Sequence, residues 1–301
     1  MMLPDKDRLP RWVKDTANVA TRTWGWGTSP WRFGPDFLIV GTKRGGTTSL
    51  WNNLLRHPEV AGLFPQNRGR KSTDHYFSAG DSSLRWYRSH FPTRRQVKHN
   101  ERLGLGLIAG EASPYYMYGP HCLDLVVDDF PGVKVIMLLR DPVERAYSHF
   151  QERRKQGTEP LDFEAALAAE PVRLAADESR WLRDPGYYSA AHDHMSYRSR
   201  GVYLPQVRRA LAVFPREQVL IMRSEDFYSG YQQAFDRVCR FLGVAEWDLQ
   251  HPEHHNRIPR SPMATETRAE LRAFYAPFNA ELQEYLDVDF QWQAPGDPMP
   301  R

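Results

Sequence analysis

The stretch Phe37-Leu38-Ile39-Val40 followed by Gly41-Thr42-Lys43-Arg44-Gly45-Gly46-Thr47-Thr48-Ser49-Leu50 constrains this chain more than any other. Four apolar residues closed by a glycine read as a buried strand, and the Gly/Thr-rich turn leads into a helix predicted over residues 47–57. A strand, loop and helix in that order aim backbone N–H groups at an anion, and the glycines let the anion come close. The spacing from Gly41 to Gly46-Thr47-Thr48 imitates the nucleotide loop GxxxxGK[ST], yet Thr47 stands where the lysine belongs and the cations sit at Lys43 and Arg44. Such a loop suits a nucleotide whose reacting group is not a γ-phosphate. An ordinary glycine-rich turn has the same composition, so the loop alone does not decide.

The rest of the chain repeats the strand–helix alternation. Apolar runs at 60–64, 107–111, 133–139 and 218–222 read as strands. Helices are predicted at 82–90 (N-cap Ser82 or Asp81), 120–130, 143–156, 160–170, 204–214 and 231–242, and at 265–286 with an interruption at Pro277. Residues 94–106 read as a polar, exposed connection. The alternation implies an α/β fold of the P-loop type, a three-layer sandwich with a central parallel sheet. Residues 1–35, rich in Trp, Gly and Pro with little periodicity, read as an N-terminal arm. Residues 36–290 read as the domain and 291–301 as a tail. The polar, Tyr-rich stretch 174–200 has the character of an insertion that covers an acceptor site.

A second motif follows the strongest strand: Arg140-Asp141-Pro142-Val143-Glu144-Arg145-Ala146-Tyr147-Ser148. An arginine at the strand end and a serine about two turns into the next helix can converge on one phosphate, as a bidentate fork and a hydroxyl. Ligands of such sheets bind beyond the carboxyl ends of the strands, where Lys43, Glu111 and Arg140 all fall.

Taken together, these residues resemble the sulfotransferases that use 3′-phosphoadenosine 5′-phosphosulfate, in particular the heparan sulfate and carbohydrate branch and its bacterial relatives. The resemblance rests on residues 37–50, His57-Pro58-Glu59-Val60, His75-Tyr76-Phe77, Gly110-Glu111-Ala112-Ser113-Pro114-Tyr115, residues 138–148, and Arg200-Gly201-Val202-Tyr203 before Phe214-Pro215. It implies that Lys43, Arg44, Gly45, Gly46, Thr47, Thr48 and Ser49 form the loop for the 5′-phosphosulfate. Arg140 and Ser148 then hold the 3′-phosphate, with Tyr203, Arg257 and Arg260 as further nucleotide contacts. The nucleotide is a co-substrate, released as 3′-phosphoadenosine 5′-phosphate, and the chemistry calls for no metal. The family's lysine before the two glycines is Arg44 here, so Arg44 is expected to meet the leaving oxygen, with Lys43 as the alternative. The family's glutamate base falls on Thr73, which leaves Asp74, His75 and Glu111 as candidate bases. A further family lysine is Ala112. The bland alternatives are a loop cap for Asp74, a packed core histidine for His75 and a backbone anchor for Glu111.

Composition excludes little. Forty basic against 37 acidic residues leave a net charge of +3, which makes no demand for nucleic acid. Cys122 and Cys239 read as free helical thiols, and His251, His254 and His255 lack ligand spacing for a metal. His192 and His194 read as solvent-exposed or substrate-facing. No apolar run has the length of a signal or membrane span, from which a cytoplasmic protein is expected. The acceptor is expected to be a small molecule or glycan bearing a hydroxyl, less readily an amine: a carbohydrate, glycolipid or glycosylated metabolite. A P-loop kinase or NTPase and a non-catalytic nucleotide-binding module are the rival readings; oligomeric state is left open.

Overall fold

The structure, a computed structural model, describes residues 11–65, 71–76, 83–252 and 262–292. Five strands, β1 (Phe37–Gly41), β2 (Val60–Ala61), β3 (Ile108–Ala112), β4 (Lys134–Leu139) and β5 (Val219–Arg223), form one sheet in the order β2-β3-β1-β4-β5. Every pairing is parallel. β1 is buried along its whole length and β4 along all but its first residue, as continuous apolar runs between helical layers must be.

The helices are α1 (Arg11–Gly27), α2 (Thr47–Leu54), α3 (Leu84–Arg88), α4 (Arg94–Arg102), α5 (Cys122–Asp129), α6 (Pro142–Lys155), α7 (Phe163–Ala175), α8 (Glu178–Arg183), α9 (Ala190–His194), α10 (Leu204–Val213), α11 (Asp226–Ser229), α12 (Tyr231–Leu242) and α13 (Thr265–Leu286). After β1 the chain works outward to β2, returns through β3, then crosses to β4 and β5. The direction reverses between β1 and β4, and the crevice beyond their carboxyl ends is where a sheet of this kind takes its ligand. α6 starts there with Asp141 as N-cap, accepting from the Val143 and Glu144 amides at 2.8 and 3.1 Å, and with Pro142 at its first position. A second apolar cluster joins α6 (Tyr147, Phe150), α7 (Phe163) and α13 (Tyr275) around Tyr197.

Several local expectations are corrected. The arm contains a helix, α1, whose Arg22 reaches the Phe64 carbonyl at 3.0 Å and whose Gly25 lies against the Ser89 backbone; these contacts outweigh the poor helix propensity of its Thr and Gly residues. Residues 94–102 are helical. Their polarity hides any apolar period, but Thr93 and Gln96 form a reciprocal capping box. α3 is capped by Ser83, one residue later than expected. α13 runs unbroken through Pro277. Within 174–200, Ser189, His192, Ser196, Tyr197 and Arg200 are buried, so this polar segment is packed by satisfying its own polar groups. His192, read as solvent-exposed or substrate-facing, is among them, stacked on Trp181 at 3.9 Å and so not exposed to solvent. Both cysteines are free and buried. No helix among the described residues is long and apolar enough to cross a membrane.

Gly110 marks the tightest point of the sheet, where β3 faces Phe37 of β1. A Cβ there would lie 2.3 Å from the Phe37 carbonyl oxygen. Gly110→Ala is therefore expected to destabilise the fold by about 3 kcal/mol, the scale of overpacking in a rigid interior, as a lowered midpoint in chemical denaturation.

Candidate active site

The loop after β1 is shaped by backbone demands. Gly46 has φ +89° and Arg44 φ +70°, so the chain turns through the left-handed region twice before α2 begins. At Gly45 a Cβ would stand 2.7 Å from the Leu138 carbonyl, whereas at Gly46 it would meet nothing within 4 Å. The loop is thus pressed against β4 on one side and open on the other, at the amide-bearing start of α2.

The side chains of Lys43 and Arg44 diverge. Arg44 Nε donates to Ser148 Oγ at 3.0 Å and Arg44 Nη1 to Glu152 Oε1 at 2.9 Å, both on α6. Arg140 Nη1 donates back to the Arg44 carbonyl at 3.0 Å. The Arg140 carbonyl in turn accepts from the buried Tyr203 hydroxyl at 2.8 Å. The two motifs, 104 residues apart in sequence, therefore form one cluster, and Tyr203 supports it from behind. Ser224 after β5 closes the floor, donating to the Gly45 carbonyl at 2.7 Å. Beside the loop lies a gap of about 10 Å³, room for a water at most, lined by Gly45, Gly46, Leu138, Ser224, Phe227 and Tyr231.

Lys43 reaches the opposite way, to Asp193 on α9, with 2.8 Å contacts to both its carbonyl and Oδ1. Burial first, then the neighbouring Arg200, lowers the Lys43 ammonium to a pKa of about 8. Burial alone would raise Asp193, but Arg200 and Lys43 hold it well below the ordinary carboxylate value. Tyr188 donates to Asp193 Oδ2 at 2.9 Å, and Arg153 lies 3.0 Å from His194 Nδ1, so one polar network spans the loop, α6 and the segment carrying α9.

A cation missed in the sequence reading is Lys71. Its ammonium donates to Thr48 Oγ1 at 2.8 Å, at the start of α2, and burial lowers its pKa. Its place beside the candidate bases at 73–75 was the available signal. The strap at 71–76 is held by Glu111, which is fully buried and accepts from the Thr73 amide (2.6 Å), Tyr87 hydroxyl (3.0 Å) and Tyr116 hydroxyl (2.7 Å). Burial raises its pKa against these hydrogen bonds. His75 is stacked on Tyr87 at 4.6 Å, and burial lowers its pKa. Asp74 is exposed, with φ +59°. Arg257 and Arg260, together with His254 and His255, lie outside the described residues. Among the described residues no cluster of three or more His, Cys, Asp or Glu is arranged to hold a metal ion.

Removing the Glu111 carboxylate leaves two buried tyrosine hydroxyls and one amide without their acceptor. Glu111→Ala is expected to cost about 3–5 kcal/mol, whereas Glu111→Gln keeps an acceptor oxygen and costs less. Thermal unfolding of the two variants measures the difference.

The family profile described as "Sulfotransferase domain" matches residues 34–258. Among solved structures, the sulfotransferase from Alicyclobacillus acidocaldarius superposes with a TM-score of 0.63 at 30% identity, covering 85% of this chain and 97% of that one. Among curated proteins, membrane-associated sulfotransferase kil1 of Dictyostelium discoideum is 24% identical over 86% of this chain and 66% of its own length. Carbohydrate sulfotransferase 15 of Mus musculus is 28% identical over 86% of this chain and 54% of its own length. The chain thus spans between half and two thirds of the length of these curated relatives. With a matching profile that runs from just before the phosphate loop to well beyond β5, the chain belongs to the sulfotransferase family.

Proposed function

We propose that this protein transfers a sulfuryl group from 3′-phosphoadenosine 5′-phosphosulfate to a hydroxyl, or less readily an amine, of a carbohydrate, glycolipid or glycosylated metabolite. The observation that carries this reading is the convergence of Arg44, Ser148 and Arg140 at the reversal point of the sheet. A nucleotide bearing phosphates at both ends of its ribose needs two anion grips side by side, and a γ-phosphate donor does not. The residues fit such a molecule: the open amide face at Gly46 suits a 5′-phosphate, and Arg140 and Ser148 suit a 3′-phosphate.

The nucleotide supplies a sulfuryl group joined to its 5′-phosphate through the oxygen that must leave. The protein's part is to hold charge at that oxygen and to accept the acceptor's proton. For the first task we assign Arg44 together with the amides of residues 45–48, with Lys43 as the alternative and Lys71 as a third cation at the same helix start. Preorganised donors of this kind are worth roughly 10²–10³ in rate. For the second the candidates are His75 and Asp74, on the 71–76 strap that Glu111 positions; burial lowers the His75 pKa, which keeps its imidazole neutral and able to take a proton.

Two measurements test this. The protein should be stabilised against heat by 3′-phosphoadenosine 5′-phosphate and not by magnesium-ATP; the reverse result favours a kinase or NTPase. With labelled donor and a panel of sugars and phenols, Arg44→Ala should lose about 10²–10³ and His75→Ala about 10²–10⁴ in kcat. The acid limb of the wild-type rate profile should lie below pH 6.5, since a base of lowered pKa is lost only as pH falls through that lower value. If Asp74→Asn abolishes turnover while His75→Ala does not, the base is Asp74. Tight nucleotide binding without turnover on any acceptor points to a binding module.

A further inference from the structure

The N-terminal arm and the α3–α4 segment share an outer face unlike the rest of the molecule. Val19 and Trp26 on one side of α1, with Trp31 and Phe33 beyond its end, are 66%, 50%, 63% and 42% exposed, a concentration of apolar side chains that a soluble surface normally avoids; Trp24 turns to the far side of the helix. The arm is joined to α3 and α4 by named contacts. The Arg85 guanidinium lies 3.8 Å over the Trp26 ring and its Nε donates to Ser29 Oγ at 3.1 Å. Arg32 pairs with Thr93 in an antiparallel bridge, and Arg94 lies 5.6 Å over the Phe33 ring.

The charge of this face is mainly basic. On α3 and α4, Arg85, Arg94, Arg95, Lys98 and Arg102 are exposed against a single exposed acid, Glu101. The whole chain carries only +3, so the remaining residues are net negative. On α4 the helical spacing puts Arg94, Arg95, Lys98, His99 and Arg102 within one arc of the helix, with Glu101 at its edge.

We propose that this face docks the protein on the surface of an anionic lipid bilayer. Tryptophans at the level of the headgroups, flanked by arginines that meet lipid phosphates, are the chemistry of interfacial attachment. A second copy of the chain is disfavoured because two such faces would bring like charge together. The docking face begins beside the candidate active site: Trp26 and Trp86 line one cleft, and Trp86 lies 6.3 Å from His75. Docking would therefore bring the strap that carries His75 close to the lipid surface, within reach of an acceptor anchored there. This last step rests on the sulfotransferase reading; the docking itself does not.

The test is co-sedimentation of the full chain with vesicles of phosphatidylcholine alone or with phosphatidylglycerol, without nucleotide or acceptor. Binding should appear with phosphatidylglycerol, weaken with salt, and shift tryptophan fluorescence to the blue. Arg94→Gln with Arg95→Gln should weaken the partition roughly thirtyfold, and Trp26→Ala with Trp31→Ala about tenfold. Both pairs are exposed and should leave the thermal midpoint and the stabilisation by 3′-phosphoadenosine 5′-phosphate unchanged. Equal binding to both vesicle types, or indifference to both pairs of substitutions, overturns the proposal. So does saturable heparin binding without vesicle binding, or a dimer that Trp26→Ala with Trp31→Ala dissolves. Failure of sulfuryl transfer with vesicle binding intact would remove the enzymatic reading and leave the docking face standing.

Discussion

The contact between Arg44 and the Ser148–Glu152 face of α6 holds the site together. It links a loop residue in a left-handed conformation to a helix more than a hundred residues away, by charge-assisted hydrogen bonds of the kind worth about 1.5–3 kcal/mol each when shielded from water. The link exists because β1 and β4 are neighbours, so the loop after one and the helix after the other leave the sheet at the same edge. Arg140, donating to the Arg44 carbonyl, closes the ring from the β4 side. Any shift of register between β1 and β4 would pull these groups apart.

The electrostatics of the site follow from crowding cations where water is scarce. Lys43 and Lys71 both have lowered pKa values because burial disfavours their charge. Two carboxylates offset that cost. Glu152 meets Arg44, and Asp193 meets Lys43 and Arg200. Since Asp193 belongs to α9, the phosphate loop and the 174–200 segment are tied by charge as well as by packing. The buried Glu111 does comparable work on the other side, fixing the 71–76 strap through Thr73 and bracing two tyrosines.

Much of the fold was legible. The five apolar runs became five strands, because β-branched and aliphatic runs between turn residues have few other places to go. The turn after β1 was legible from its glycines, whose positions match the positive φ at Gly46 and the close approach at Gly45. Where apolar periodicity failed, so did the reading. α4 is polar on every turn, and only its capping box betrays it. α1 is set by contacts with Phe64 and Ser89 that no local pattern announces. His192 looked like a surface histidine in a polar loop, but its place is decided by Trp181 stacking on it.

The sequence by itself determined the order of the strands, the glycine-shaped turn after β1 and the family resemblance, because these depend on local backbone geometry and on residue patterns within short windows. Only the tertiary structure decided which way each charged side chain turns. Lys43 and Arg44 are adjacent in sequence, yet one reaches α9 and the other α6, because the turn that accommodates Arg44 at positive φ throws the two side chains apart. Lys71 and the buried brace at Glu111 likewise became visible only once distant segments were packed together, since a hydrogen bond across more than twenty residues leaves no local signature in the chain.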